Sequence, residues 1–219
     1  MKVSVIIPTT GERPQFVDHA LRMVSRQTYR DNIIETTVVQ NADKTRPTLV
    51  ENVRKGYEEA EGDLVVIWED DDYYRDDYIE TMVKSWEPGL EVLGVNHSTY
   101  YHLGALKLRT MIHPDRSSLM NTVLKAKLTE IPWDGDIFLD MRIWKAVHDK
   151  VLKGKLINEQ KAIGLKHGIG RSGGRAHDPD FFIPNKSQDD PDMNFLRGFI
   201  SNEEILAFYL SIHERIKSR

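Results

Sequence analysis

The chain contains no cysteine. That excludes a disulfide framework and cysteine-ligated zinc, and it fits a reducing compartment. There is also no apolar run near the roughly 20 residues that cross a bilayer, so the expectation is a protein without stable membrane insertion. The opening Met1-Lys2-Val3-Ser4-Val5-Ile6-Ile7-Pro8 is too short and too strand-like for a signal peptide, and the expected location is cytoplasmic. Internal repeats and a linker-like stretch are missing too. With 219 residues, 40% hydrophobic and 29% charged, the expectation is one globular domain, 1–219.

Basic residues are scarce in the first half. Residues 1–100 hold 11 Lys+Arg against 19 Asp+Glu, residues 101–175 hold 14 against 7, and the remainder 5 against 8. An acidic first half beside a basic middle suggests cation binding early and anion contact later.

What is present begins with an alternation of strand and helix patterns. Val3 to Ile7 is a β-branched run ended by Pro8. Phe16, Ala20, Leu21 and Val24 follow at helical spacing behind Pro14. Ile33–Val39 reads as a strand, Leu49, Val53 and Tyr57 as a helix, Leu64–Ile67 as a buried strand and Leu90–Val95 as another. A helix starting at Asp76 or Asp77 and running through Trp86 stands between the last two. This order predicts an α/β fold with an open, mostly parallel sheet flanked by helices. In such sheets ligands sit outside the carboxyl ends of the strands, which here carry Pro8-Thr9-Thr10, Gln40-Asn41-Ala42-Asp43 and an acidic cluster. Beyond residue 98 the pattern predicts a hairpin about Gly104-Ala105, a short helix over 117–127, a helix over 136–151, a Gly- and Arg-rich flexible loop over 166–192 and a C-terminal helix over about 202–217.

The acidic cluster is Trp68-Glu69-Asp70-Asp71-Asp72-Tyr73. Four successive carboxylates at a strand end repel one another unless something neutralises them. A divalent cation suits that role, because Mg²⁺ and Mn²⁺ take hard oxygen ligands and leave positions for phosphates. A solvated turn capping the next helix is the competing reading.

Three stretches resemble the family 2 glycosyltransferases of the GT-A (nucleotide-diphospho-sugar transferase) fold. Val3–Thr10 is similar to that family's first strand and donor loop. Ala20-Leu21 through Gln27-Thr28-Tyr29 is similar to its first helix. Gly56–Asp63 followed by the strand and its aspartates resembles the approach to its metal motif. The resemblance implies a UDP-sugar donor, an Mn²⁺ or Mg²⁺ ion, residues 1–98 as the donor and metal half and 99–219 as the acceptor half. It implies metal contact by Asp71 with Glu69, or by Asp72 in the alternative register, and a donor-ribose role for Asp70. Pro8, Thr9, Thr10, Glu12 and Arg13 become donor contacts. The acid pair usual after the second strand is absent, and Asn41 or Asp43 stands in its place.

The same resemblance places a general base at the start of a late helix. Asp136 fits, with Arg142 at the matching offset and Asp134 as competitor, although Gly135 replaces the family's first acid. Inversion at the anomeric carbon follows from the family. Asp140 reads as surface. Arg171 and Arg175 would clamp the diphosphate from the loop, His177 would add a metal ligand, and Trp133 would contact the acceptor. The compact form is also similar to bacteriophage glycosyltransferases that modify hydroxymethylated pyrimidines, which makes DNA the expected acceptor, against a saccharide or lipid-linked acceptor. A nucleotidyltransferase would carry a Gly-rich, Lys- and Arg-containing loop after the first strand, which Pro8-Thr9-Thr10-Gly11-Glu12-Arg13 is not. A non-catalytic nucleotide-sugar or nucleic-acid binding module is the alternative of a different class.

Overall fold

The computed structural model describes residues 1–41, 48–135, 138–169, 177–180, 182 and 186–218. Strand β1 (Val3–Thr9) is followed by helix α1 (Pro14–Ser25), β2 (Ile33–Gln40), α2 (Leu49–Glu59) and β3 (Leu64–Ile67). Next come β4 (Tyr73–Tyr74), α3 (Tyr78–Ser85), β5 (Val92–Val95), β6 (His97–His102), β7 (Lys107–Ile112) and β8 (Thr122–Lys125). Helix α4 (Leu139–His148), β9 (Gly154–Ile157), β10 (Ala162–Lys166), β11 (Gln188–Asp189), α5 (Asn194–Phe199) and α6 (Glu203–Lys217) complete the order.

The main sheet runs β2-β1-β3-β8-β5-β9, and all its strands are parallel except β8. Side chains alternate across it as the period of two requires. Val3, Val5 and Ile7 face one core with Leu64, Val66 and Tyr209, while Ile6 faces the other with Val65, Ile67 and Val53. A second sheet runs β11-β7-β6-β10-β4 and contains the hairpin β6–β7.

Two expectations are corrected. The segment 117–127 is not a helix. Only Leu119–Asn121 makes a 3₁₀ turn, and Thr122–Lys125 is a strand inserted antiparallel between β3 and β5. Thr122, Val123 and Leu124 are buried on both faces, so no alternation marks them. The loop expected over 166–192 also starts later, because Lys166 ends β10 and both Lys166 and His167 are buried.

Register carries β10 to the acidic cluster. Ala162 pairs with Tyr74 and Ile163 with Tyr73 in antiparallel sense. Each step forward along β10 is therefore a step back toward Asp72, and Lys166 and His167 arrive beside the carboxylates. Gly164 makes this possible: a Cβ there would lie 2.4 Å from the Tyr100 ring.

Candidate active site

The carboxyl edge of β1 and β3 converges on the acidic turn. The Trp68 N–H donates to the Ile6 carbonyl at 2.8 Å, which places Glu69–Asp72 level with Thr9. Asn52 of α2 donates from Nδ2 to the Thr9 carbonyl at 3.0 Å and fixes the end of β1. The ring of Tyr74 stacks on Trp68 at 3.9 Å, and its hydroxyl accepts the Glu69 N–H at 3.0 Å. Tyr209 of α6 donates to the Asp72 carbonyl at 3.1 Å.

Each carboxylate has a different set of partners. Both oxygens of Asp70 are taken, Oδ1 by Arg13 Nη2 at 2.7 Å and Oδ2 by the Thr9 hydroxyl at 2.8 Å. On Asp71, Oδ2 accepts from Arg13 Nη1 at 2.8 Å and lies 3.2 Å from His167 Nε2. Asp72 Oδ1 accepts the Leu165 N–H at 2.9 Å with Lys166 Nζ at 3.9 Å, while its Oδ2 is buried without a hydrogen bond.

Electrostatics separate the four. Burial pushes the Glu69 carboxyl up to about 7, and burial with the neighbouring Asp71 charge raises Asp70. Asp72 is raised well above the carboxylate range by burial. Asp71 is the exception. Burial alone would raise it, but the His167 hydrogen bond, Arg13 and Lys166 together hold it far below the usual value. The Lys166 ammonium has its pKa raised, because Asp72, Asp71 and Glu69 outweigh the cost of burying it.

The arrangement fits a hard divalent cation. Glu69, Asp71 and Asp72 bring carboxylate oxygens within 4.8 Å of one another. A bound dication would favour the ionised form of the carboxylates that burial raises, and with all four ionised against Arg13 and Lys166 the surplus would be two negative charges. A second group, Asp71, His167 and His177, also lies within 4.8 Å. There the His167 Nδ1 accepts the Ile169 N–H at 2.9 Å, which puts the imidazole proton on Nε2 and makes His167 a donor to Asp71. His177 is buried and its Nδ1 accepts the His167 N–H at 3.3 Å; burial lowers its pKa to about 2.

The other predicted residues differ in exposure. Pro8 is buried within β1, Thr10 half-buried, Glu12 exposed, and Asn41 exposed in a left-handed conformation with φ 46°. Arg13 is only 5% exposed, and both its Nη atoms face carboxylates. Asp134 is exposed and lies ahead of α4, which begins at Leu139 behind a left-handed Phe138. Trp133 is half-buried, its ring 5.4 Å from that of Tyr57. Asp140 is not a surface residue: its side chain is 17% exposed, pairs with Arg116 at 3.6 Å and adds its charge to those acting on Glu69. Asp43, Asp136, Arg171 and Arg175 lie outside the described residues. Sequence reading missed Tyr209, and it gave Lys166 and His167 only a place in the flexible loop rather than beside the carboxylates.

No family model and no curated protein matches this sequence. Solved structures do match. TarS from S. aureus superposes with a TM-score of 0.52 at 12% identity, over 76% of this chain and 37% of that one. TarS 1–349 in complex with UDP gives 0.52 and 12%, over 75% of this chain and 60% of that one. The chain thus spans 37% and 60% of these two TarS chains, less than two thirds of each. Identity this low speaks to fold alone, and the fold is of the GT-A type: a mixed α/β structure with a central sheet flanked by helices.

Proposed function

We propose that this chain is a metal-dependent glycosyltransferase that moves a sugar from a UDP-sugar to an acceptor hydroxyl, with inversion. The observation that carries the reading is the electrostatic design of the β3 edge: a strongly acidic Asp71, flanked by Glu69 and by an Asp72 oxygen that lacks a partner, in a GT-A-type fold. TarS, which shares the fold, has been crystallised with UDP.

In this reading Glu69, Asp71 and Asp72 hold Mn²⁺ or Mg²⁺, and His177 adds a further ligand. The bound ion supplies Lewis-acid stabilisation of the departing diphosphate. Thr9, Thr10 and Glu12, with Asn41 and Asp43, contact the nucleoside in this reading. Arg171 and Arg175 contribute positive charge to the phosphates. Asp136 takes the proton from the acceptor hydroxyl, with Asp134 and the half-buried Asp140 as the carboxylates that could replace it. Trp133 offers an aromatic face to the acceptor.

The acceptor we favour is a 5-hydroxymethylpyrimidine in DNA. Support comes from the excess of basic residues in 101–175, of which Lys125 and Lys127 are exposed. Lys107 and Arg116 are instead paired with Asp189 and Asp140.

The test is UDP release from a panel of UDP-sugars, with Mn²⁺ or EDTA, in the presence of hydroxymethylated DNA, plain DNA or saccharide acceptors. Release that needs metal and hydroxymethylated DNA is expected. Release with saccharide alone would replace the acceptor, release without any acceptor would indicate a hydrolase, and none under any condition would favour a binding module. Asp136→Asn should keep UDP binding and lose most transfer.

A further inference from the structure

Arg13 stands in an unusual place for a residue that opens a helix. It occupies the N-cap position of α1, with Pro14 immediately behind it, yet makes no capping bond. Its guanidinium is buried, turned inward over the Phe16 ring at 5.2 Å, and spans Asp70 and Asp71 at 2.7 and 2.8 Å. The Nε–H is buried with no acceptor, so the geometry is governed by the two carboxylates rather than by full satisfaction of the fork. An arginine keeps its charge at any ordinary pH, and here Asp71 and Asp70 raise its pKa further against the cost of burial.

Asp71 is thereby shared. Its Oδ2 lies against Arg13 and His167, and the same carboxylate is one of the set with Glu69 and Asp72. A dication held there faces the guanidinium across a single carboxylate. Like charges about 5 Å apart repel by several kcal/mol even at an effective dielectric near 20. Without a metal, the same guanidinium compensates two buried carboxylates that would otherwise be costly to keep together.

We propose that Arg13 is a positioning residue: a resident counter-cation that holds Asp70 and Asp71 in place in the metal-free protein and lowers the site's affinity for the divalent ion. The role rests on the metal reading above. It makes the ion exchangeable, with full occupancy reached when a diphosphate adds its own negative charge.

The experiment measures Mn²⁺ uptake by the loss of the free-ion EPR signal, without nucleotide, for wild type, Arg13→Met and Arg13→Lys. Thermal unfolding is followed in EDTA and in Mn²⁺. Arg13→Met should bind Mn²⁺ about tenfold more tightly than wild type, a modest part of the repulsion above. Arg13→Lys, which keeps the charge, should stay within about threefold. Mn²⁺ should raise the unfolding temperature of Arg13→Met more than that of wild type. If Arg13→Met does not fold in EDTA, recovery of a cooperative transition with Mn²⁺ supports the role, and failure to recover overturns it. Equal or weaker Mn²⁺ binding by Arg13→Met overturns the role of Arg13 and leaves the metal reading intact. No uptake by either protein removes the metal reading, and this role with it.

Discussion

The Nε2 of His167 lies 3.2 Å from Asp71 Oδ2, while its Nδ1 accepts the backbone N–H of Ile169 at 2.9 Å. One backbone contact thus sets the tautomer that lets the ring donate to the most acidic carboxylate of the cluster. Phe16 stacks on the same ring at 4.6 Å and holds it in place. His167→Ala is expected to destabilise the protein by about 2 kcal/mol, the scale of a buried hydrogen bond to a charged group, and to weaken Mn²⁺ binding. His167→Gln, which keeps an N–H donor, should recover part of both. Urea unfolding with metal titration checks this, and a neutral His167→Ala would contradict it.

Lys166 is the other buried cation, with its ammonium near Asp72 and over the Tyr100 ring at 5.4 Å. Removing one member of a buried charge pair leaves the other uncompensated, at a cost of about 3–5 kcal/mol. Lys166→Met should therefore unfold at distinctly lower urea concentration. Its loss should be partly reversed in Lys166→Met/Asp72→Asn, which removes both charges. A double variant no more stable than the single one would contradict the pairing.

Gly11 joins β1 to α1 with φ +78°, and a Cβ there would lie 1.9 Å from the Gln40 side chain. Gly11→Ala carries backbone strain and makes the flexible Gln40 amide swing aside, and should cost about 1–3 kcal/mol. Because Thr9 and Arg13 flank this turn, UDP affinity should fall as well. Unchanged affinity would place the nucleotide elsewhere.

His19 gives a pH dependence that can be isolated. Its ring stacks on Phe208 at 3.8 Å between α1 and α6, and burial, helped by Arg22, lowers its pKa to about 4. A folded value below the unfolded value near 6.5 means the native state binds fewer protons. The neutral ring's contribution is complete above pH 6.5 and lost as pH falls toward 4, up to about 3 kcal/mol. The raised carboxylates Glu69, Asp70 and Asp72 act in the opposite sense, so the readout is the difference between wild type and His19→Gln. Wild type should lose stability more steeply over that window, and parallel curves would contradict the assignment.

Much of the first half was legible. Val3–Ile7 and Leu64–Ile67 are apolar runs with clear ends, and Phe16, Ala20 and Val24 repeat at helical spacing; these became β1, β3 and α1. The second half hid its strands. β8 has only four residues, three of them buried without alternation, and β10 is buried along its whole length and interrupted by Gly164. The carboxylates were legible as a cluster, but their partners were not. Arg13 lies 57 and 58 residues from Asp70 and Asp71, and His167 lies 96 from Asp71, so only the fold brings them together.

Calorimetric titration of UDP into the wild-type protein and Asp71→Asn, each with Mn²⁺ or EDTA, tests the central claim most directly. The account predicts UDP binding to wild type at least about tenfold tighter with Mn²⁺ than with EDTA, and no such difference in Asp71→Asn. UDP binding to wild type that ignores the metal, or its absence even in Mn²⁺, would contradict it.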